Sequence, residues 1–237
     1  MAIKAVLFDL DGTLLPMDQN QFLKGYFGLL TEKMVKSGYD AATFMKALLT
    51  GTDAMVANDG SITNEALFWR EFGRFYTEEA LPPISLFDEF YAEDFPKTKA
   101  FCGFGARPRK IVDAVKKKGL LSVLATAPAF PAIATETRMG YVGLSPADFS
   151  LYTTYENSTY CKPSEGYYRE VLSKIGCAPE ECLMVGNDVD EDMITEQLGM
   201  QVFLLTPCMI NRSGKDISTY PQGDFSALAE YLRALNK

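Results

Sequence analysis

The sequence predicts an α/β protein: a doubly wound parallel sheet, interrupted by a helical insert. Three observations carry this. Short apolar runs recur at Ala5–Phe8, Leu121–Ala125, Phe149–Tyr152, Leu183–Val185 and Val202–Leu205. Segments of helical period separate most of them, and strand–helix–strand alternation favours a parallel sheet with helices on both faces. The chain has 237 residues, 47% of them hydrophobic and 23% charged. That composition is globular, and the length is enough to bury a substantial core.

Ala5–Phe8 reads as a buried first strand, stopped by Asp9-Leu10-Asp11-Gly12. From about Pro16 to Lys99 no strand pattern occurs. Leu23, Tyr26, Phe27, Leu30 and Met34 share one helical face, and Ala41–Leu49, Asn64–Tyr76 and Ile84–Phe95 also read as helices. The expected organisation is therefore a core of residues 1–15 and 100–237, with residues 16–99 as an insert holding its own small core. Gly103-Phe104-Gly105 lacks the third glycine and the preceding strand of a nucleotide-binding turn. Beyond it, Ile111, Val112, Ala114 and Val115 oppose lysines on one helix, and Phe225, Leu228, Leu232 and Leu235 form the last apolar stripe.

Composition excludes much chemistry. The chain contains no histidine, which removes Ser-His and Cys-His nucleophile pairs and imidazole bases. Carboxylates, lysine or a hard metal ion must then carry any catalysis. The formal charge of -8 argues against nucleic acid and against an anionic membrane surface. The five cysteines contain no C-x-x-C and read as reduced thiols of a cytoplasmic protein. Met1–Asp9 does not read as a signal peptide, and Leu120–Ala134, broken by Thr126, Pro128 and Pro131, is too short to span a bilayer. The sequons at Asn157 and Asn211 are accordingly expected to stay unused.

Ligands of open parallel sheets bind at the carboxyl ends of the strands. The first strand delivers Asp9 and Asp11 there. The run 121–125 ends in Thr126-Ala127, Lys162-Pro163 precedes a helix near Ser164, and the run 183–185 ends in Gly186-Asn187-Asp188, followed by Asp190, Glu191 and Asp192. Each feature alone has a structural explanation: a turn, a cap, a solvated lysine or a helix N-terminus. Their conjunction on one sheet edge points to a site. A calcium loop starting at Asp188 fails, because Met193 and Gly199 stand where Gly and Glu are required. Neighbouring carboxylates repel by about 4 kcal/mol per close pair at an effective dielectric near 20. Such a cluster needs cations, and oxygen donors with room for water and phosphate oxygens suit Mg²⁺.

These residues resemble the haloacid dehalogenase superfamily, in its phosphatase and phosphomutase branch. Phe8-Asp9-Leu10-Asp11-Gly12-Thr13-Leu14 is similar to the first family motif, Val123–Thr126 to the second, Cys161-Lys162-Pro163-Ser164 to the third, and Met184–Asp188 with Asp192 to the fourth. The resemblance implies a Rossmann-like core with an inserted α-helical cap domain, and an aspartyl-phosphate intermediate. It implies Asp9 as nucleophile, Asp11 as acid and base, and Thr126 with the Ala127 N–H on the phosphoryl oxygens. Lys162 would neutralise charge, and Mg²⁺ would be held by Asp9, the Asp11 carbonyl and Asp188. Asn187 and Asp192 would stand behind the metal, with Asp190 and Glu191 as rivals for the place of Asp192. Ala127 departs from the Asn of many relatives, and Gly-Asn-Asp from the usual Gly-Asp.

The expected activity is Mg²⁺-dependent hydrolysis of a small phosphorylated metabolite. A sugar-phosphate mutase shares all four motifs, and a regulatory binding module could share the fold. A phosphonate-cleaving enzyme would need an imine-forming lysine such as Lys24, Lys33, Lys36 or Lys46, and a dehalogenase generally lacks the acid at Asp11. Specificity is expected in the insert, whose aromatics (Phe22, Tyr26, Phe27, Phe68, Trp69, Phe72, Phe75, Tyr76) read first as its core. Lys24, Arg70 and Arg74 are its candidate contacts for a substrate anion.

Overall fold

The computed structural model describes residues 2–235. Strand β1 (Ala5–Phe8) leads into helices α1 (Gln19–Lys36), α2 (Ala41–Val56), α3 (Asn64–Gly73) and α4 (Ile84–Glu89). After α5 (Arg107–Lys117) come β2 (Leu121–Leu124), α6 (Ala132–Tyr141), β3 (Leu151–Tyr152), α7 (Glu165–Ile175), β4 (Cys182–Gly186), β5 (Gln201–Leu205), β6 (Gln222–Gly223) and α8 (Phe225–Ala234). Side-chain caps set several helix starts: Asp18 accepts from the Gln21 N–H, Asp40 from Thr43, Thr63 from Ala66, and Ser164 from Gly166.

All strands run parallel in the order β3-β2-β1-β4-β5-β6. Alternate residues face opposite ways, as the pleat requires. Val6, Phe8, Leu124, Val185 and Phe203 pack with α5 and α8, in a core continuous with Phe22, Tyr26, Phe44 and Phe72 of the helical segment. Leu7, Val123, Met184, Val202 and Leu204 pack on Tyr167, Tyr168 and Val171 of α7. Helices thus cover both faces, as a doubly wound sheet demands. Among the described residues no helix is long and apolar enough to cross a membrane.

Two expected elements differ. The strand anticipated at Phe149–Tyr152 pairs only at Leu151 and Tyr152. Residues Pro146–Asp148 form a tight turn in which Asp148 accepts the Ser145 N–H at 2.9 Å and the Phe149 N–H bonds Pro146, so Phe149 is held by the turn. The helix anticipated over Ile84–Phe95 leaves α geometry after Glu89, widens over Phe90–Asp94 and tightens over Phe95–Phe101. Pro96 cannot donate to Ala92, so the regular ladder cannot continue through it. The two passages joining the helical segment to the sheet lie side by side: Met17 bridges Cys102, and the Gly103 N–H bonds the Pro16 carbonyl at 2.6 Å.

Candidate active site

The strand order reverses between β1 and β4, and such a switch point leaves a crevice outside the carboxyl ends. The register Phe8↔Val185 places Asp9 beside Gly186. The Asp9 N–H donates to the Val185 carbonyl at 3.0 Å, extending the ladder one step into the loop. The acids following β1 and β4 therefore come from adjacent strands.

Around Asp9 (8% exposed) the contacts are specific. Lys162 Nζ donates to Asp9 Oδ1 at 2.9 Å and to Asp192 Oδ1 at 2.6 Å. The Thr13 hydroxyl is shared between Asp9 Oδ2 at 3.1 Å and Asn187 Oδ1 at 2.8 Å, while Asn187 Nδ2 donates to the Cys208 carbonyl at 2.7 Å. Asn187 thus ties three loops together. Gly12, at φ +86°, permits this: a Cβ there would lie 2.3 Å from Asn187 Nδ2. Gly186 serves Asp192 likewise, since a Cβ would stand 2.0 Å from its Oδ2.

Asp192 Oδ2 accepts the Asp188 N–H at 3.1 Å. Burial raises the Asp192 carboxyl to about 7, against the pull of Lys162. Burial also works against the Lys162 charge, but Asp192 and Asp9 outweigh it and hold the ammonium well above the usual lysine range. Lys162 is therefore a fixed cation at neutral pH. Of the rivals for the Asp192 position, Asp190 turns away to Ser213 and Lys215, and Glu191 lies 3.7 Å from Arg212.

Asp188 (6% exposed) accepts the N–H groups of Asp190 and Glu191 on Oδ1, and Arg212 on Oδ2 at 2.6 Å. Among the described residues no three His, Cys, Asp or Glu side chains form a metal cage. The donors anticipated for Mg²⁺ comprise only two carboxylates, Asp9 and Asp188, with the Asp11 carbonyl. All three are hard oxygens at the switch point. The cation now on Asp188 Oδ2 belongs to Arg212, whose side chain is 55% exposed and also donates to Gln19 Oε1 at 3.1 Å. The donor set fits a small hard ion.

Asp11 faces a different partner. Its Oδ2 pairs with the wholly buried guanidinium of Arg138, and its Oδ1 is buried with no hydrogen-bond partner among the described residues. Burial raises the Asp11 carboxyl, Arg138 pulls it down, and Asp9 pushes it up again. Arg138 also stacks over Phe130, 4.3 Å from the ring centre, and bonds Thr135 and the Ala134 carbonyl. Sequence reasoning missed Arg138. The available signal was an arginine at helical spacing on the apolar stripe of α6, beside Ala134, Thr135 and Met139.

Thr126, 1% exposed, has its carbonyl clamped by the hydroxyls of Thr153 at 2.7 Å and Tyr167 at 2.9 Å. Ala127, next along, lines a cavity of about 500 Å³ that also reaches Asp11 and lies between the helical segment and the loop 127–133. The insert aromatics read first as core divide: Phe72 is fully buried and Phe75 and Tyr76 pack outside the cavity, while Phe22, Tyr26, Phe27, Phe68 and Trp69 line it. Lys24, Arg70 and Arg74 do not line it; both arginines pair with Glu71 on the outer surface.

Residues 3–195 match the profile of the haloacid dehalogenase-like hydrolases. No curated protein matches the chain. Solved structures with the same fold include a HAD phosphatase from Thermococcus onnurineus (18% identity, 97% of this chain and 98% of that one, TM-score 0.59). They also include the HAD-hydrolase YfnB from Bacillus subtilis, bound to magnesium (16%, 98% and 99%, TM-score 0.57). A third is a 2-haloacid dehalogenase from Pseudomonas syringae pv. Tomato DC3000 (17%, 98% and 98%, TM-score 0.65).

Proposed function

We propose that this chain, which belongs to the haloacid dehalogenase-like hydrolases, is a Mg²⁺-dependent phosphatase that hydrolyses a small phosphorylated metabolite through an aspartyl-phosphate. The observation that carries the reading is the setting of Asp9: a buried carboxylate at the switch point, neutralised by Lys162 at 2.9 Å and neighboured by the cavity that reaches Asp11 and Ala127. In the proposed reaction an Asp9 oxygen attacks phosphorus. The bond from phosphorus to the leaving oxygen breaks, and Asp11 gives that oxygen its proton. Water then attacks the same phosphorus as Asp11 takes its proton back, releasing inorganic phosphate and restoring the Asp9 carboxylate. Burial favours the proton-bearing form of Asp11 that the first step needs, and Arg138 orients it.

Thr126 and the Ala127 N–H would hold phosphoryl oxygens on a turn kept rigid by Thr153 and Tyr167. Lys162, fixed by Asp192, supplies a full positive charge beside the nucleophile. Mg²⁺ would be held by Asp9, Asp188 and the Asp11 carbonyl, and when bound it neutralises charge on the phosphoryl group. In this reading residues 16–99 act as a cap over the core of residues 1–15 and 100–237. Among the described residues no lysine lines the cavity, which speaks against an imine-forming phosphonate enzyme.

The test is hydrolysis of p-nitrophenyl phosphate with and without Mg²⁺, by the native protein and by Asp9→Asn. The reading expects turnover that needs both Mg²⁺ and Asp9. Absence of turnover in either condition, or full turnover by Asp9→Asn, refutes it.

A further inference from the structure

The cavity beside Asp11 has a chemistry of its own. At about 500 Å³ it has room for a leaving group well beyond two carbons. Its wall is apolar over most of its extent, and the rings of Phe22, Tyr26, Phe27, Trp69, Phe87 and Phe130 contribute to it. The neutral polar residues of the lining are Gln19, Thr52, Tyr155, and Tyr26 and Tyr91, whose hydroxyls meet at 3.0 Å; the charged groups are Asp11, Glu65, Asp88 and Glu156.

Among the described residues no lysine or arginine lines the cavity, and most cations of the helical segment are engaged elsewhere, while Lys24 stands outside the lining. Lys33 pairs with Glu89, Lys36 with Glu32, Arg70 and Arg74 with Glu71, and Lys97 with Asp94. Lys46 lies over Phe75, and Lys99 over Tyr141. Arg138 is committed to Asp11. A second anionic group on the substrate would therefore enter an apolar space edged by carboxylates. It would lose its hydration and gain no counter-charge, which is among the costliest of burials.

We infer that the substrate is a phosphate monoester of an apolar, aromatic alcohol that carries no second anionic group. This rests on the phosphatase reading for the phosphoryl end, and on the cavity alone for the leaving group. The flat rings of Trp69 and Phe130 supply stacking surface, and the tyrosine hydroxyls supply the few hydrogen bonds that orient a leaving group. Small carboxylated phosphates and sugar bisphosphates are disfavoured by the same walls.

Two measurements separate the leaving-group inference from the phosphatase reading. Trp69 is the only tryptophan of the chain and lines the cavity, so its fluorescence reports occupancy without any chemistry. Titration with 2-phenylethanol is expected to give a saturable change. Phenylacetate, of similar size but anionic, is expected to bind at least about tenfold more weakly. Trp69→Phe provides the blank. Equal or tighter binding of phenylacetate, or no change with either probe, overturns the inference, whatever the enzyme does with phosphates.

The second measurement compares kcat/KM for 2-phenylethyl phosphate and 2-phosphoglycolate, both esters of primary alcohols, with Mg²⁺ present. A preference of about a hundredfold for the aromatic ester is expected. Turnover favouring 2-phosphoglycolate overturns the leaving-group inference and leaves the phosphatase reading standing. No turnover of any ester, with the expected fluorescence response, overturns the phosphatase reading and leaves the leaving-group inference standing.

Discussion

Arg138→Met isolates the ion pair that the sequence did not disclose. The guanidinium is wholly buried and Asp11 depends on it, since Asp11 Oδ1 has no partner among the described residues and Oδ2 pairs with Arg138. Methionine keeps most of the volume and the contact with Phe130, so the loss is mainly electrostatic. Removing one member of a buried pair costs roughly 3–5 kcal/mol, because the other is left charged and unpaired. The Asp11 side chain is 19% exposed and its carboxyl is already raised by burial, so once unpaired it can take up water or a proton, and the lower end, about 3 kcal/mol, is expected. The cation–π contact, 4.3 Å from the ring centre of Phe130, adds about 1 kcal/mol. Urea unfolding at pH 7 measures the total. Asp11→Asn in the Arg138→Met background removes the stranded charge, so the double variant is expected to recover about 2 kcal/mol relative to additivity. A loss below about 1 kcal/mol in the single variant, or strictly additive effects, would refute the electrostatic account of this pair.

Two further substitutions test other parts of the structure. Gly186→Ala places a methyl group 2.0 Å from Asp192 Oδ2. It is expected to cost about 2–3 kcal/mol and most of the activity, because Lys162 loses its anchor; Gly140→Ala, with open space around it, is the benign control. Unfolding by urea and phosphate release read the two effects. Asp148→Asn tests a pH-dependent tie outside the site. Burial pushes the Asp148 carboxyl up, but Lys116, Ser145 and Arg109 outweigh it and hold it below the ordinary value. A lowered folded-state pKa contributes stability above the unfolded value, and that stability is lost as pH falls through the folded one. Asp148→Asn is therefore expected to cost about 1–2 kcal/mol at pH 7, with the gap closing below about pH 4. A gap unchanged at low pH in denaturation curves would rule out that linkage.

Residues at strand ends were the most legible in the sequence. The alternation of runs fixes which end of the sheet each loop occupies, and so sets Asp9, Lys162 and the acids within 188–192 at one edge; the family resemblance singled out Asp192 among them, and the structure brings the three within hydrogen-bonding distance. Arg138 could not be named with them, because its partner depends on how α6 packs against the β1 loop, a contact 127 residues apart in sequence. Periodicity also could not sort the aromatics. Phe72 and Phe68 lie on neighbouring turns of α3, yet the first is fully buried and the second borders the cavity. That division arises from helix–helix packing, which an apolar stripe does not encode. Phe149 was misread because an apolar run resembles a strand even when the turn before it, held by Asp148, commands its backbone.

The central claim is that phosphorus becomes bonded to Asp9 during turnover. Acid quenching of the enzyme in mid-reaction with a phosphate ester, followed by peptide mass analysis, tests it directly. The account predicts a phosphoryl group on the peptide containing Asp9, absent from Asp9→Asn and, with p-nitrophenyl phosphate, whose leaving group departs without a proton, enriched in Asp11→Asn, where the second step is slowed. An unmodified Asp9 peptide, or a phosphoryl group on any other residue while the enzyme is turning over, would contradict it.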